Sequence, residues 1–466
     1  MSTPAARDAA VPDAGGPAPS LAKDPNFRHF WAGVTLGQLG AQLGNIALPV
    51  VAVQLLLASE LQLGVLNASA TAAFLLVGLP AGAWVDRWAK RRVMIRADVV
   101  RAVTISAIPV LWAFDALAMW HLYVVAAVIG VATVFFDVAY QSVLPFLVRR
   151  DQVADANGKL EGVAQVARVA GPAAGGLLLK VVSAPLLFLA DAIGYAGSAL
   201  FLSRVRDREV PRTRAPEARL RTEIAAGLAF VVRHPLLVRI VACTTLSNLA
   251  STLAFTLLPI LVLRMIGLEP FWFGVVMGAG AVGGILGAVL APRIARVVGE
   301  GTAIPLSALI AGPTWALVPL SASVGSPYLA AAMLVLAEFC FSFSVLVYNV
   351  MQVSMRQRIC PEHLLGRMNA SIRFFVWGIM PLAALLSGFL GNRIGVVPTM
   401  WVAVGLLVLA ALPVLLSPLL GMRTLPDAPD EPAPVPDTAA TPDPLGSTPP
   451  GPEREPGGGV GDAGDR

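Results

Sequence analysis

The sequence predicts an all-α membrane protein of twelve transmembrane helices, arranged as two pseudo-symmetric six-helix bundles. Composition, segment length and an internal repeat predict it. The 466 residues are 56% hydrophobic and only 14% charged, with a mean hydropathy of +0.73. A soluble domain is nearer about 45–50% apolar and about 25% charged, so water is a poor solvent for most of this surface. Apolar runs of roughly 20 residues recur, each long enough to cross ~30 Å of hydrocarbon as a helix. Strands are excluded by length, because a membrane strand needs only about 10 residues and alternates.

Six runs come first: His29–Leu57, Gln62–Trp84, Val93–Phe114, Leu122–Leu147, Gly162–Val182 and Leu186–Leu202. Six more follow a long basic connector: Leu236–Met265, Phe271–Pro292, Ala303–Val324, Tyr328–Met355, Ser371–Ile394 and Pro398–Leu420. Arg and Lys fall in every second connector, as at Lys90, Arg91 and Arg92, at Arg149 and Arg150, and at Arg356, Arg358 and Arg367. The alternate connectors carry mostly Glu60, Asp115, His121 and Glu269, with Arg264 and Arg393 as exceptions. The positive-inside rule then places both termini in the cytoplasm, and the cell membrane is the expected location. The net charge of +5 is explained by this placement, so no nucleic-acid partner is expected.

The expected organisation is a disordered cytoplasmic segment over 1–25, a six-helix bundle over 26–203 and a cytoplasmic linker over 204–234. A second bundle over 235–422 and a disordered cytoplasmic tail over 423–466 complete it. The N-terminal segment lacks the apolar core of a cleaved signal peptide, and the Pro-, Gly- and Asp-rich tail has almost nothing to bury. The repeat relates the bundles. Asp137 corresponds to Asn349, Asn157 to Asn369 and Gly176 to Gly388 at one constant offset, and "GAWVDR" is echoed by "GAVLAPR". Duplicated six-helix units normally hold their substrate between halves that rock about it.

Metal and cofactor chemistry is not expected. Cys243, Cys340 and Cys360 are scattered, and His29, His121, His234 and His363 lack ligand spacing. No nucleophile–base set or phosphate loop suggests an enzyme.

Gly82-x-x-x-Asp86-Arg87-x-x-Lys90-Arg91 resembles the signature loop of the major facilitator superfamily. The stretch from Gly158 through Gly171-Pro172-x-x-Gly175-Gly176 resembles the antiporter motif of its exporters. "FFDVAYQSVLP" and "LLGRMNASIRFFVWGIMPL" are similar to the branch of enterobactin-type siderophore exporters and macrolide efflux proteins. The sequence departs at Ala89 and Ala167, where glycines are usual, and at Ala41, where related exporters carry a first-helix acid.

Physically, Lys90, Arg91 and Arg92 can serve topology alone, but acids contribute little to orientation. Asp86 at a helix end can instead latch an inner gate by pairing with a cation or capping a helix of the other half. Pro172 kinks its helix and the glycines thin one face of it. Intramembrane charges normally face a partner or cavity. Asp98 with Arg101, Asp137 with Tyr140 and Gln141, and Glu161 with Gln165 and Arg168 each share a helix face. They read as a structural ion-pair network, or with Asp137 or Asp98 as a proton-responsive acid and Arg101 or Arg168 as its alternating partner. Glu338 stands alone mid-helix, with Asp191 a shallower second case. With Ala41 in place of the first-helix acid, Glu338 is the expected proton carrier. Gln38, Gln42, Asn45, Asn248, Tyr348, Asn349, Trp377 and Met380 are candidates to line a central cavity.

The expected function is a proton-coupled, monomeric exporter of a bulky, partly apolar small molecule such as a drug, macrolide-like metabolite or siderophore. The alternatives are a proton-coupled uptake symporter and a non-transporting membrane sensor or scaffold.

Overall fold

The computed structural model describes residues 21–85, 87–149, 152–206, 229, 231–360 and 362–423. Asp86, most of the expected linker and the two terminal segments lie outside the described residues. Every described element is helical, as the apolar periodicity requires. The first set comprises α1 (Pro25–Val50), α2 (Glu60–Leu76), α3 (Gly78–Val85), α4 (Lys90–Ala113), α5 (Met119–Leu147), α6 (Val153–Leu178) and α7 (Ala184–Arg204). The second comprises α8 (Pro235–Ile260), α9 (Pro270–Val298), α10 (Glu300–Trp315), α11 (Leu317–Ser321), α12 (Pro327–Ile359), α13 (Glu362–Ile394) and α14 (Val396–Leu415).

Helix starts follow local chemistry. The Asp24 carboxylate accepts from the Asn26 amide at 2.8 Å, with Pro25 in the first turn of α1. Ser59 and Gln62 form a reciprocal capping box on α2. The α2–α3 break at Val77 lies three residues before Pro80, whose missing N–H cannot continue the ladder.

Among the described residues, nine helical segments are long and apolar enough to cross a membrane. Three further helical stretches occupy the remaining expected spans. The α2–α3 stretch is interrupted, α4 carries Lys90, Arg91, Arg92, Arg96, Asp98 and Arg101, and α6 carries Asp155, Lys159, Glu161 and Arg168. The spans that miss the apolar threshold are thus either broken or the most heavily charged.

The repeat extends to backbone detail. Both α1 and α8 end in a five-residue π turn, Val51–Leu55 and Leu261–Met265. After each comes one residue with positive φ, Leu57 at 52° and Gly267 at 75°, at the same relative position. Leucine is strained there, at a cost of roughly 1–2 kcal/mol, and its side chain is 72% exposed, so packing recovers little. Leu57→Gly is therefore expected to slow thermal inactivation slightly, a net gain below about 1 kcal/mol after the entropy of glycine is counted. Gly267→Leu should hasten it. Inactivation half-lives in detergent check both.

The two ends of the molecule differ. One, the basic face, bears Lys90, Arg91, Arg92, Arg149, Arg293, Arg296 and Arg358; the other, the far face, bears Glu60, Asp115, Lys180 and Glu269. At the far face a single buried core joins both helix sets, from Ile46, Val50, Leu63 and Phe188 to Leu253, Leu257, Phe273 and Phe341. Toward the basic face the core divides. Phe27, Phe30, Met94 and Leu147 cluster within the first set. Ile240, Met355 and Ile359, and separately Leu237, Met368 and Ile372, cluster within the second.

Candidate functional site

Glycines on the helices that touch across the two sets locate the seam. Contact between the sets runs chiefly through α2 with α13 and through α6 with α9. In the far half these pairs are nearly in backbone contact. A Cβ on Gly64 would lie 2.7 Å from the Ala384 carbonyl oxygen, and one on Gly274 2.5 Å from that of Pro172 and 2.9 Å from the Gly176 Cα. Pro172 and Gly176 thus form a groove into which α9 fits. Nearer the basic face, Gly78 and Gly82 on α3 and Gly158 and Gly162 on α6 have no atom within 4 Å of a built Cβ among the described residues. Among the described residues the helices of the seam are therefore close at one end and apart at the other.

Polar contacts reinforce the shut end. The Arg264 guanidinium donates to the carbonyl oxygens of Val53, at 3.1 Å, and Ala58, at 2.8 Å, across the seam. Lys180 Nζ sits 3.9 Å from the centre of the Phe271 ring. Asn67 donates to Thr256 at 2.9 Å. Where the seam begins to open, Phe74 and Trp377 meet edge to face at 5.1 Å.

Beyond that aromatic pair lies a cavity of about 360 Å³ lined by both sets. Asp137, Gln141 and Phe74 face Asn369, Arg373, Phe374 and Trp377. It combines a carboxylate, a guanidinium, two amides and three aromatic rings. The Arg373 guanidinium lies 5.2 Å from the Trp377 ring centre and is close enough to act electrostatically on Asp137. Such a wall can hold a large apolar body by ring contact and orient it through a few polar groups.

Behind it, in the first set, a second charge cluster centres on Arg101. Its guanidinium pairs with Asp98 at 2.6 Å and lies between the rings of Phe136, at 4.2 Å, and Tyr195, at 4.5 Å. Asp137 and Asp191 both feel its charge. One buried cation thus serves three carboxyls from α4, α5 and α7, and among the described residues Asp98 Oδ2, Asp191 Oδ1 and Gln38 Oε1 have no hydrogen-bond partner. Asp191, read from sequence as an isolated acid, belongs to this group.

Glu338 is separate. It is 5% exposed at the α9–α12 contact, beside Gly280. Oε1 accepts from Ser342 at 3.4 Å, and Oε2 has no hydrogen-bond partner among the described residues. Among the described residues no basic side chain pairs with it.

The other sequence candidates scatter. Arg168 is exposed and outside the Arg101 cluster, while Gln165 donates to Glu161 at 2.5 Å on the same helix. Gln42 packs under Gly171, and Gly175 lies against Ile46, so the antiporter-like stretch is pressed on α1 as well as α9. Asn45 lines a separate space of about 180 Å³ with Asp191 and Tyr195. Tyr348 is buried and bonded to Thr244 at 2.8 Å, Asn248 donates to Val376 at 3.0 Å, and Asn349 accepts from Gln352. Met380 is half-buried on α13 and lines none of the cavities described. In the gate-like loop, Arg87 is exposed, Lys90 is buried over the Phe146 ring, and Arg91 donates to the carbonyl oxygens of Leu202, at 3.0 Å, and Ser203. Both Arg373 and Arg264 are central to the seam; Arg373 was missed in the sequence and Arg264 was noted only as an exception to the charge pattern. Arg373 stands inside an apolar, aromatic run, "SIRFFVWG", where a charge is costly, and that signal could have found it.

The sequence and the fold match known proteins. A family model described as transmembrane secretion effector matches residues 17–444. The chain belongs to this family. It is a multi-pass membrane transporter of the efflux and secretion kind in the major facilitator superfamily, not an enzyme. The chain is similar to the multidrug efflux pump Tap of Mycolicibacterium fortuitum, 26% identical over 72% of this chain and 82% of that one. It is also similar to macrolide efflux protein A of Streptococcus pyogenes, at 22% over 68% and 78%, and to the staphyloferrin A transporter of Staphylococcus aureus, at 25% over 61% and 71%. Among solved structures, a bacterial homologue of the iron transporter ferroportin in an inward-facing state superposes with a TM-score of 0.67 at 16% identity, covering 84% of this chain and 97% of that one. A bacterial homologue of the lysosomal transporter Spinster, inward-facing and unoccupied, gives 0.65 at 14% identity with the same coverage. These likenesses speak to the fold.

Proposed function

We propose that this secretion-family transporter exports a bulky, partly apolar small molecule by proton antiport, with the two helix sets rocking about the cavity at Asp137, Arg373 and Trp377. The observation that carries this reading is the divided core. The sets share one core at the far face and have separate cores toward the basic face, which is the arrangement of a carrier open on one side. The positive-inside rule makes the basic face cytoplasmic and puts both termini there, so the cavity is open to its cargo. Three aromatic rings with one acid and one base suit an amphipathic molecule, and the relatives include proteins named for macrolide efflux, multidrug efflux and staphyloferrin A transport.

Coupling supplies the drive: one proton crossing 100 mV releases about 2.3 kcal/mol. Glu338, unpaired among the described residues and packed on the helix that crosses the seam, is the proposed carrier. Asp98, Arg101, Asp137 and Asp191 form the charge network that holds the first set together and responds to what occupies the cavity. Asp86, in the loop that resembles a gate motif, is proposed as a latch for the cytoplasmic side in the opposite state, and the transporter is proposed to work as a monomer.

Expression in a host stripped of its own efflux pumps tests the function. Accumulation of macrolides, siderophores or lipophilic dyes should fall for at least one class. Trp377→Ala should raise the concentration needed for half-maximal efflux roughly 2- to 12-fold, the worth of one aromatic contact. Unchanged accumulation of every class would remove the export reading.

A further inference from the structure

A groove on the outer surface of the first helix set carries chemistry that transport does not use. It measures about 430 Å³ and runs between α4 and α5, lined by Trp88, Val93, Arg96, Ala97 and Val100 on one side and Ala127, Val128, Val131, Ala132 and Phe135 on the other. Alanines on both walls leave the space that larger side chains would fill. At its basic-face end Trp84, Trp88 and Phe135 stack on one another with ring centres 6.0–6.4 Å apart. Away from that end the floor and the adjoining surface, with Val99, Val100, Val103 and Val124 exposed, are apolar. Phe135 to Ala127 is eight residues, so the groove descends about 12 Å into the membrane.

Arg96 is the anomaly. It lies more than a helical turn inside α4, on the face turned away from the protein interior. Among the described residues neither it nor Arg92, one turn nearer the face, has an ion pair or hydrogen bond. Asp98, the nearest acid on the same helix, is buried on the opposite side and paired with Arg101. Orientation in the membrane does not need Arg96, because Lys90, Arg91 and Arg92 already mark this end. At the same distances from the first residue of α10 stand Thr302 and Leu306, so the fold does not require cations there either. A lipid-facing guanidinium is costly unless an anion meets it. Two arginines above an apolar trough offer a headgroup site joined to a chain site.

We propose that the α4–α5 groove binds an anionic phospholipid, its phosphate-bearing headgroup on Arg92 and Arg96 and one acyl chain along Val100, Val128 and Val131. The ring cluster at Trp88 closes the basic-face end of the groove, where indoles favour the membrane interface. Each arginine near a negatively charged lipid adds about fivefold in lipid affinity, and this attraction weakens with ionic strength.

The test uses the purified full-length transporter in detergent micelles doped with phosphatidylglycerol or with phosphatidylcholine of the same acyl chains. Phosphatidylglycerol should raise the thermal unfolding midpoint by several degrees more than phosphatidylcholine, less so at high salt. The paired substitution Arg92→Gln/Arg96→Gln should erase that preference, Arg92→Lys/Arg96→Lys should keep most of it, and Arg293→Gln/Arg296→Gln on the second set should leave it intact. Val100→Trp, which fills the trough, should lower stabilisation by both lipids. No preference in the unmodified protein, its survival in the Arg92→Gln/Arg96→Gln variant, or equal loss in the Arg293→Gln/Arg296→Gln variant would overturn the proposal.

Discussion

Gly274→Val should reduce transport to background while leaving the protein folded. The Gly274 position faces the Pro172 carbonyl and the Gly176 Cα at distances that no real side chain tolerates. Backbone, not a flexible side-chain end, stands in the way, so α6 and α9 must separate. Separation there opens the far face, which the cavity-open state keeps shut. A transporter unable to shut one side cannot complete its cycle. A cysteine at Leu257, buried in the shared far-face core, reports the state directly in a background lacking Cys243, Cys340 and Cys360. Its labelling by an impermeant maleimide should be slow in the parent and fast with Gly274→Val. Arg264→Gln removes two donated bonds without adding bulk and should slow turnover rather than abolish it. Transport at the parental rate in Gly274→Val would show that this contact is not part of the cycle.

Glu338→Gln should abolish efflux driven by a pH gradient while leaving substrate binding largely intact. The side chain lines none of the cavities described, so removing its charge does not touch the cargo. It lies instead beside Gly280 on α9, the helix that meets Gly176 across the seam. The proposal requires α9 to shift against α12 as the sets reorient, changing what surrounds this carboxyl, the property a proton carrier needs. Asp137→Asn should behave differently, weakening both binding and the conformational switch, because Asp137 lines the cavity and feels Arg101 and Arg373 together. Substrate-induced quenching of tryptophan fluorescence separates binding from coupling. Proton-driven efflux surviving in Glu338→Gln would move the carrier to the three carboxyls around Arg101.

Much of this was legible in the sequence, and for definite reasons. Helix class and placement follow from apolar length, which the membrane imposes regardless of tertiary contacts. The Asp98–Arg101 pair was readable because i, i+3 spacing fixes it within one helix. Pro172 and Gly176 were readable as a thinned helix face, though not what fills it. What joined only in space was hidden. Asp191 looked isolated because its cation, Arg101, comes from another helix. Arg373 stands opposite Asp137 because the two sets close on each other. Tyr348 looked like a cavity residue but turns inward to Thr244, a choice between two faces of one helix that composition does not decide.

Direction of flux tests the central claim most directly. Inside-out membrane vesicles containing the transporter would be given an acid interior and offered a labelled macrolide or lipophilic dye that the cell-based efflux test has shown to be expelled. The account predicts accumulation inside the vesicles that collapses when the pH gradient is dissipated and is lost in Glu338→Gln. Accumulation in right-side-out vesicles instead, or accumulation indifferent to the gradient, would contradict it.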